Sequence, residues 1–464
     1  MKKILKPILN WLRKNIPETH PLRVYWQFMK ALIINLIFLF PSRKFKIIGV
    51  TGTDGKTTTV EMISHILKEK GIKFGKISSV EIEIAGEKKD NKTHRTVLSP
   101  LQMAKFFQEC EKKKCEYIIV EASSHALYQG RLFGIKFDIA VLTNITAEHL
   151  DFHKTLDDLR KAKKLLFTKY LKKDGIKILN KEDKVFFEWS EGFKNTKSYS
   201  IKDKNADLFA LDILDKEGGI EFIVSGNKKI KINTNLHGEF NVENILASIL
   251  AVSSLDVSIE CVKKAFETFN TPKGRMEEIK IDGINFRIFI DFGLTPNAFL
   301  QTFKTFSDLA HSKGGRFFAV FGATGDRDKV KRPELGKIAG KLADGIFLTD
   351  DETYTEDPKK IRDAVKFGLK EVEKREVFLK LNNISDDQKI ELFKNKLLNN
   401  KDFFVEIENR SDAILGAVTV AQENDIVVLF SIGAFLSRNM GGKEIFWDEK
   451  QEIKNAINKI DNLV

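Results

Sequence analysis

The chain has 464 residues, of which 42% are hydrophobic, so it is not a largely disordered protein. We expect two or three domains at this length. The net charge of +12 is concentrated in residues 1–46, which hold ten Lys or Arg and one acid, so the remainder gives no support for nucleic-acid binding. The three cysteines lack metal-site spacing and predict free thiols in a reducing, cytoplasmic compartment.

Residues 1–46 form a basic N-terminal extension that we predict to be helical. Its longest apolar run, 31–40, is too short to cross a bilayer as a helix. We expect this helix to pack on the domain that follows. The alternative is weak attachment to a membrane surface through a basic amphipathic helix.

A phosphate-binding loop is predicted directly after this extension. Residues 45–50 are apolar and predict a buried strand, and an apolar pattern at helical spacing begins at Val60. A glycine-containing turn between strand and helix presents backbone N–H groups and a positive helix end to an anion. A plain strand–turn–helix crossover is the alternative. The residues predicted to bind the ATP phosphates are Gly52, Thr53, Asp54, Gly55, Lys56, Thr57 and Thr58.

The rest of a central domain, 47–273, alternates strands and helices. Predicted strands at 117–120, 138–142 and 176–179 are separated by helices, including one at 156–171, and residues 77–98 resemble a hairpin with a charged tip at 87–92. This order predicts a mostly parallel, doubly wound α/β sheet with helices on both faces. Ligands of such sheets bind at the carboxyl ends of the strands, where Lys56, Glu121 and Asn144 fall.

Two further regions follow. Short alternating runs at 185–235 predict a small antiparallel flap, and helices are expected at 241–255 and 258–269. A linker-like stretch at 271–275 marks the predicted boundary. Residues 274–464 resume the alternation and predict a second, smaller Rossmann-like domain.

Polar groups after two predicted strands are candidate metal ligands. Glu121 ends one strand and can bind Mg²⁺, although residues 121–125 could instead cap the next helix. His149 and His153 are four residues apart, but no third ligand has the spacing of a zinc site. We therefore predict that His149 binds a second Mg²⁺.

Several stretches together closely resemble the Mur ligase family, and within it the tripeptide synthetases. The resemblance covers nearly everything after residue 46. The matching stretches are 121–125, 143–153, 162–167, 237–244, 274–277, 291–297, 325–333 and 350–358.

The resemblance implies an ATP-dependent amide ligase that works through an acyl phosphate with two Mg²⁺ ions. Its substrates would be a muramyl-peptide-like carboxylate and an amino acid, in cytoplasmic synthesis of peptidoglycan precursors, and a monomer is expected. Lys163 matches a lysine that is carbamylated in the family. The metal ligands implied are Thr57, Glu121, His149 and Lys163. In addition to the phosphate loop, the nucleotide contacts are Asn144, Asn241, Asn244, Arg275 and Asp291. The substrate contacts are Ser99, Ser123, Ser124, Arg131, Asp351, Glu352 and Tyr354.

The sequence also departs from the family pattern. The family's uridine-nucleotide domain has no counterpart in residues 1–46, and Leu294 stands where the family has histidine. Tyr354 and residues 431–435 replace the arginine and glutamate that would hold the distal end of diaminopimelate. We expect the acidic pair Asp351 and Glu352 to have no arginine nearby, which suits a side-chain ammonium. We therefore predict lysine, or another amine without a second carboxylate. A sister ligase of the folylpolyglutamate type and a nucleotide-binding partner subunit without ligation remain alternatives.

Overall fold

The computed structural model describes residues 19–91, 93, 96–191, 195–216, 218–226, 229–255 and 257–462. The first 18 residues of the basic extension, Lys92 of the predicted hairpin tip, and 192–194, 217 and 227–228 of the predicted flap lie outside these ranges. The chain folds as two compact units, Met1–Asn270 and Thr271–Val464.

One large sheet organises the first unit. Within its described residues, eleven strands are ordered β11-β10-β9-β8-β7-β6-β1-β5-β2-β3-β4. The strand β1 pairs in parallel with β5 and β6, so its carboxyl end lies near the centre of the sheet edge that binds ligands in such folds. The strands are β1 Lys46–Thr51, β2 Phe74–Ile77, β3 Glu81–Ile84, β4 Glu87–Asp90, β5 Tyr117–Glu121, β6 Phe137–Leu142, β7 Leu171–Asn180, β8 Thr196–Ser200, β9 Leu208–Lys216, β10 Gly219–Ser225 and β11 Ile230–Thr234.

Helices cover both faces of this sheet. Successive β1 side chains point to opposite faces, so Ile48 and Val50 pack in one core while Ile47 packs in the other. Apolar residues recur at helical spacing after the phosphate loop and join the first of these cores. The helices are α1 Pro21–Ile37, α2 Lys56–Glu69, α3 Pro100–Lys112, α4 Ser124–Tyr128, α5 Leu150–His153, α6 Leu156–Leu165, α7 Phe186–Ser190, α8 Glu239–Val252 and α9 Ile259–Thr268, with 3-10 turns at Pro41–Lys44 and Ser253–Leu255.

Two predicted elements of this unit differ from the structure, and the predicted antiparallel flap is confirmed. The helix expected to reach 171 ends at Leu165 and continues as a π-helical turn, Leu166–Tyr170, which keeps both Phe167 and Tyr170 buried before β7 begins. Of the expected charged tip at 87–92, residues 87–90 form the strand β4, which pairs with β3. The predicted antiparallel flap is present as the strands β9–β11, which continue the main sheet through β8, a strand parallel to both β7 and β9.

The helix predicted in the basic extension lies against the first unit. The rings of Phe28 and Phe133 meet edge-on with centroids 4.4 Å apart. The Asn35 side-chain amide donates to the carbonyls of Ala31 and Phe133, both at 2.8 Å. Of the helices among the described residues, none has the length and apolar character needed to cross a membrane.

The second unit is a smaller doubly wound domain. Its main sheet, within the described residues, has the order β12-β13-β18-β14-β15-β17-β16, and every pair except β12–β13 is parallel. The strands are β12 Glu277–Glu278, β13 Arg287–Asp291, β14 Phe317–Phe321, β15 Gly345–Leu348, β16 Arg375–Val377, β17 Phe403–Glu406 and β18 Ile426–Phe430, with a separate hairpin of β19 Ser437–Met440 and β20 Lys443–Phe446. The helices are α10 Pro296–His311, α11 Lys331–Leu342, α12 Pro358–Glu371, α13 Asp386–Leu397, α14 Arg410–Val420 and α15 Glu449–Asp461.

Candidate active site

The predicted phosphate loop connects β1 to α2, and two of its glycines are required by close contacts. A Cβ atom on Gly52 would lie 1.8 Å from the Thr143 hydroxyl, and one on Gly55 would lie 2.4 Å from the Asn244 amide oxygen. Gly55 also has φ of +79°, a conformation that side-chain-bearing residues rarely adopt. The N-cap residue of α2 is Gly55, which has no side chain to cap the first turn, and helix starts of this kind can bind an anion through their backbone N–H groups.

Residues at the end of β6 hold this loop in place. The Thr53 N–H donates to the Asn144 carbonyl at 2.8 Å, and the Asp54 N–H donates to the Asn144 side-chain oxygen at 2.9 Å. The Thr143 hydroxyl donates to the Asp54 carbonyl at 2.6 Å. Asn144 therefore positions the loop, and the Lys56 ammonium donates to the Thr53 carbonyl within it.

The second residue of α2 contacts the carboxylate at the end of β5. The Thr57 hydroxyl donates to a Glu121 carboxylate oxygen at 3.1 Å, and the Ser79 N–H donates to the same oxygen at 2.7 Å. The Ser79 hydroxyl lies 3.1 Å from that of Thr57. Thr57 and Glu121 are both buried. These hard oxygen atoms beside a phosphate loop suit Mg²⁺, which commonly takes one or two carboxylates and completes its shell with phosphates and water.

Lys163 is buried on α6 next to the phosphate loop. Its side chain is 1% exposed and its ammonium donates to the Gly52 carbonyl. Burial, followed by the positive charge of Lys56, lowers the Lys163 pKa to about 7. By contrast, Lys164 is partly exposed and forms an ion pair with Glu188. The neighbouring lysines therefore differ in environment, because Lys163 is buried and Lys164 is partly exposed to solvent.

His149 contacts a cluster of histidine and aromatic rings through His125. The His149 ring lies 4.6 Å from that of His125, and its Nε2 lies 3.3 Å from a Glu148 carboxylate oxygen. His153 is buried and its Nε2 lies 2.9 Å from the Ser124 hydroxyl. Burial, followed by the charge of Lys163, lowers the His153 pKa to about 4. Among the described residues, no group of three or more His, Cys, Asp or Glu side chains is placed to hold a metal by itself.

Three of the predicted substrate residues have contacts at helix starts. Ser99 forms a capping box with Gln102 at the start of α3. Ser123 caps α4 by accepting from the Ala126 N–H at 3.4 Å, as the capping alternative predicted. Ser124 is buried against His153, while Arg131 follows α4 and is partly exposed. Their predicted contacts with substrate stay predictions.

The helix α8 brings two asparagines to the phosphate loop. The Thr59 hydroxyl donates to the Asn244 side-chain oxygen at 3.2 Å, and the Asn244 amide donates to the Asn241 oxygen at 3.3 Å. The Asn241 amide in turn donates to the His237 carbonyl at 2.7 Å. The loop, Glu121, Asn144, Lys163 and these asparagines therefore form one constellation in the first unit.

The remaining predicted residues belong to the second unit. The Arg275 guanidinium lies 4.5 Å from the centroid of the Phe292 ring. Asp291 ends β13, is buried, and accepts from the N–H groups of Met276 and Gly293 at 2.9 and 2.7 Å. These contacts shape the start of the unit, and the predicted nucleotide roles of Arg275 and Asp291 stay predictions.

The acidic pair lies beyond the carboxyl end of β15. Asp351 is buried, with its Oδ2 3.3 Å from the Thr324 hydroxyl, and Glu352 accepts from the Asn439 N–H at 3.2 Å. Burial, followed by the charge of Asp351, raises the Glu352 pKa. Within the described chain, the second oxygen of Asp351 and the side-chain oxygen of Asn439 are buried acceptors without a donor.

The expectation that no arginine lies near the acidic pair is wrong. The Arg327 guanidinium donates to the Tyr354 hydroxyl at 3.1 Å and lies 5.4 Å from its ring centroid. Arg438 donates to the carbonyls of Asp350 and Asp351 at 2.6 and 2.8 Å. Both arginines come from distant parts of the sequence, so inspection of residues 351–354 alone missed them.

Besides Arg438, the residues at these sites that were not singled out from the sequence include Ser79, His125 and Arg327. Ser79 follows β2, which pairs in parallel with β5, so placing that strand in the sheet would have brought it to Glu121. The other two lie inside motifs that were recognised, but their neighbours are set by tertiary packing. Only a chain-wide topology could have indicated their contacts.

Comparison with known proteins gives the family. The Mur ligase middle domain matches residues 50–252, and the Mur ligase glutamate ligase domain matches residues 274–433. The UDP-N-acetylmuramoyl-L-alanyl-D-glutamate--2,6-diaminopimelate ligase 1 of Clostridium acetobutylicum is 33% identical, over 90% of this chain and 80% of the relative. The UDP-N-acetylmuramyl-tripeptide synthetase of Borreliella afzelii is 33% identical, over 91% of this chain and 79% of the relative.

A solved structure supports the same conclusion. A UDP-N-acetylmuramoyl-L-alanyl-D-glutamate--2,6-diaminopimelate ligase superposes with a TM-score of 0.59 at 26% identity, over 95% of this chain and 83% of that one. The similarity spans both units and the phosphate loop between β1 and α2. This chain therefore belongs to the Mur ligase family of ATP-dependent ligases, which form carbon–nitrogen bonds in peptidoglycan precursor synthesis.

Proposed function

We propose that this protein joins an amino acid to the terminal carboxylate of a muramyl-peptide-like acceptor, acting as a monomer in the cytoplasm. The acceptor carboxylate attacks the γ-phosphorus of ATP, and ADP leaves. The amine then attacks the carbonyl carbon of the acyl phosphate, and phosphate leaves as the amide forms. The observation that carries this proposal is the buried Thr57–Glu121 contact beside the phosphate loop and Lys163.

The phosphate loop supplies preorganised positive charge for the first step. The N–H groups at the start of α2 and the Lys56 ammonium are the groups that would bind the β- and γ-phosphates. Charge develops on crowded oxygens in both steps, so donors fixed before reaction contribute more than mobile ones. The anchoring of Thr53 and Asp54 by Asn144 supports this fixed geometry.

Thr57 and Glu121 would hold one Mg²⁺, and His149 with a carbamylated Lys163 would hold a second. When bound, Mg²⁺ neutralises charge on the phosphate oxygens. The oxygen atoms of Thr57, Glu121 and Ser79 fit such an ion because the Thr57 hydroxyl lies within hydrogen-bonding distance of both the Glu121 carboxylate and the Ser79 hydroxyl. His149 supports the second site less directly. Its ring contacts that of His125, which also contacts His153, and the charge of Lys163 acts on His153.

The environment of Lys163 supports carbamylation. Only a neutral amine attacks CO₂, forming an N–C bond and releasing a proton. A pKa of about 7 leaves a large neutral fraction near neutral pH, whereas an ordinary lysine is almost fully protonated there. The product is an anion in a buried place, which a nearby cation would stabilise.

We further propose that the second unit selects an amine with a side-chain ammonium, lysine being the first candidate. The buried acceptors on Asp351 and Asn439 support an ammonium-binding subsite, because a buried acceptor without a donor costs free energy that an N–H group recovers. Arg327 is the residue that would favour diaminopimelate instead, since it could pair with a distal carboxylate.

A screen of amines tests this proposal. The full chain is incubated with ATP, Mg²⁺ and UDP-MurNAc-dipeptide, and ADP release is measured with lysine, diaminopimelate and other amino acids in turn. We expect ADP release that requires both the acceptor and an amine, with kcat/KM for lysine above that for diaminopimelate. ADP release independent of the acceptor in every reaction would contradict a ligase of this type.

A further inference from the structure

The helix α1 has apolar side chains on two faces. Its inner face packs on the first unit through Phe28, Ala31 and Asn35. On the other face, exposed apolar residues are spaced by three, four or seven positions and therefore form a single stripe, with Leu22 at 64% and Ile37 at 66% exposure. This outer stripe consists of Leu22, Tyr25, Trp26, Ile33, Leu36 and Ile37.

The charged side chains of helix α1 have one sign. Helix α1 contains Arg23 and Lys30 but no acidic residue. The Lys30 ammonium lies 4.9 Å from the Trp26 ring centroid, at the side of the stripe. Residues 1–46 together hold ten Lys or Arg and one acid, so the helix belongs to the most basic segment of the chain. An acidic or anionic partner is therefore favoured over a neutral one.

A basic cavity opens just after the helix. It has a volume of about 460 Å³ and is lined by Phe40, Arg43, Phe133, Lys136, Lys169, Tyr170 and their neighbours. The guanidinium of Arg43 lies 4.4 Å from the Phe40 ring centroid, and the Lys169 ammonium lies 5.6 Å from that of Tyr170.

Most of the charge in this basic cavity is not neutralised by the protein. Lys172, also at its lining, forms an ion pair with Asp138 at 2.7 Å. Within the residues the structure describes, no carboxylate lies within ion-pair distance of Arg43, Lys136 or Lys169. The cavity thus offers several cations against an aromatic wall, which suits a phosphate attached to an apolar chain.

We propose that the outer stripe and the basic cavity form a docking surface for a bilayer that contains anionic lipids. The stripe lies at the boundary between headgroups and acyl chains, where Trp and Tyr side chains are favoured. A lipid phosphate enters the basic cavity. The exposed Leu39, which lies in the sequence between Ile37 of the stripe and Phe40 of the cavity, inserts with the stripe. The helix lies along the surface, and this surface includes none of the phosphate-loop residues, so docking and ligation are separable.

Sedimentation of the full chain with vesicles tests the proposal. The vesicles contain phosphatidylcholine alone or phosphatidylcholine with about one third phosphatidylglycerol. We expect binding to the anionic vesicles that weakens as salt is added, because exposed charges are screened. Replacing Tyr25, Trp26 and Ile37 by Ser should weaken this binding by about tenfold or more, since each removes a large inserted side chain. Matched replacement of Phe378 and Phe446, at 80% and 78% exposure, should leave it unchanged.

A second pair of variants tests the cavity. Arg43→Gln with Lys169→Gln should weaken binding to anionic vesicles, whereas Lys443→Gln with Lys454→Gln, at exposed sites, should not. ATP-dependent thermal stabilisation checks that every variant is folded. The proposal is overturned if the chain binds neutral and anionic vesicles equally or binds neither. It is also overturned if the stripe variant binds like the parent, or if that variant instead dissociates a dimer in sedimentation velocity.

Discussion

Replacing Lys163 by methionine should stabilise the fold while abolishing ligation. The lysine is buried, and its pKa falls from the ordinary 10.5 to about 7. Each pKa unit corresponds to about 1.4 kcal/mol, so burying the charged form costs on the order of a few kcal/mol. Methionine occupies a similar volume without a charge and removes this cost. Ligation should fall by about 10²-fold or more, because the residue can no longer be carbamylated.

The stabilisation by Lys163→Met should depend on pH, because the removed lysine titrates at different pH values in the folded and unfolded states. The folded pKa of Lys163 lies below the unfolded one, so between about pH 7 and 10 the unfolded state binds more protons and the stability of the parent rises with pH. The advantage of Lys163→Met should therefore be full below pH 7 and disappear as pH approaches 10.5.

Denaturant unfolding of both proteins in CO₂-free buffer, at several pH values, measures the effect. Lys164→Met is the matched control, since that side chain is 36% exposed and its pair with Glu188 contributes about 1 kcal/mol at most. The control should change stability little and keep ligation. A Lys163→Met protein that is less stable than the parent below pH 7, or that ligates at the parent rate, would refute the reasoning.

Three other substitutions have expected outcomes. Lys56→Ala should lower ATP turnover by about 10²-fold or more, measured as ADP release, because the phosphates lose their nearest cation; turnover at the parent rate would exclude the phosphate-loop role. Glu121→Gln should raise the Mg²⁺ concentration needed for half-maximal turnover, because the carboxylate ligand is lost. An unchanged Mg²⁺ requirement would count against metal binding at Glu121. Arg327→Gln should leave kcat/KM for lysine within about threefold of the parent, whereas a selective loss with diaminopimelate would indicate that Arg327 binds a distal carboxylate.

Local pattern was sufficient for the elements that build the phosphate site. The apolar run before Gly52 and the helical spacing after Val60 each fall within one short window, and both elements appear in the structure as β1 and α2. The order of strands and helices also predicted the parallel arrangement that brings Lys56, Glu121 and Asn144 to one edge. For these features, short-range periodicity and the rules of α/β topology agree.

Features that depend on long-range packing were not predictable in the same way. The π-helical turn after Leu165 has the same apolar pattern as a continuing helix. Strand β8 pairs with β7 in parallel, and this pairing joins the expected flap to the main sheet. No pattern within the sequence of β8 indicates which strand it pairs with. Arg327 reaches Tyr354 across 27 positions of sequence. In each case the local structure or contact depends on residues that are distant in sequence, so a single stretch of sequence is not enough to predict it.

The most direct test of ligation through an acyl phosphate follows one oxygen atom. UDP-MurNAc-dipeptide carrying ¹⁸O in its terminal carboxylate is ligated with ATP, Mg²⁺ and the amine that the screen selects, and the released phosphate is analysed by mass spectrometry. We expect one ¹⁸O atom in each phosphate formed together with amide, because the carboxylate oxygen that attacks the γ-phosphorus leaves with it. Phosphate without the label, at a rate matching ADP release, would contradict the acyl phosphate.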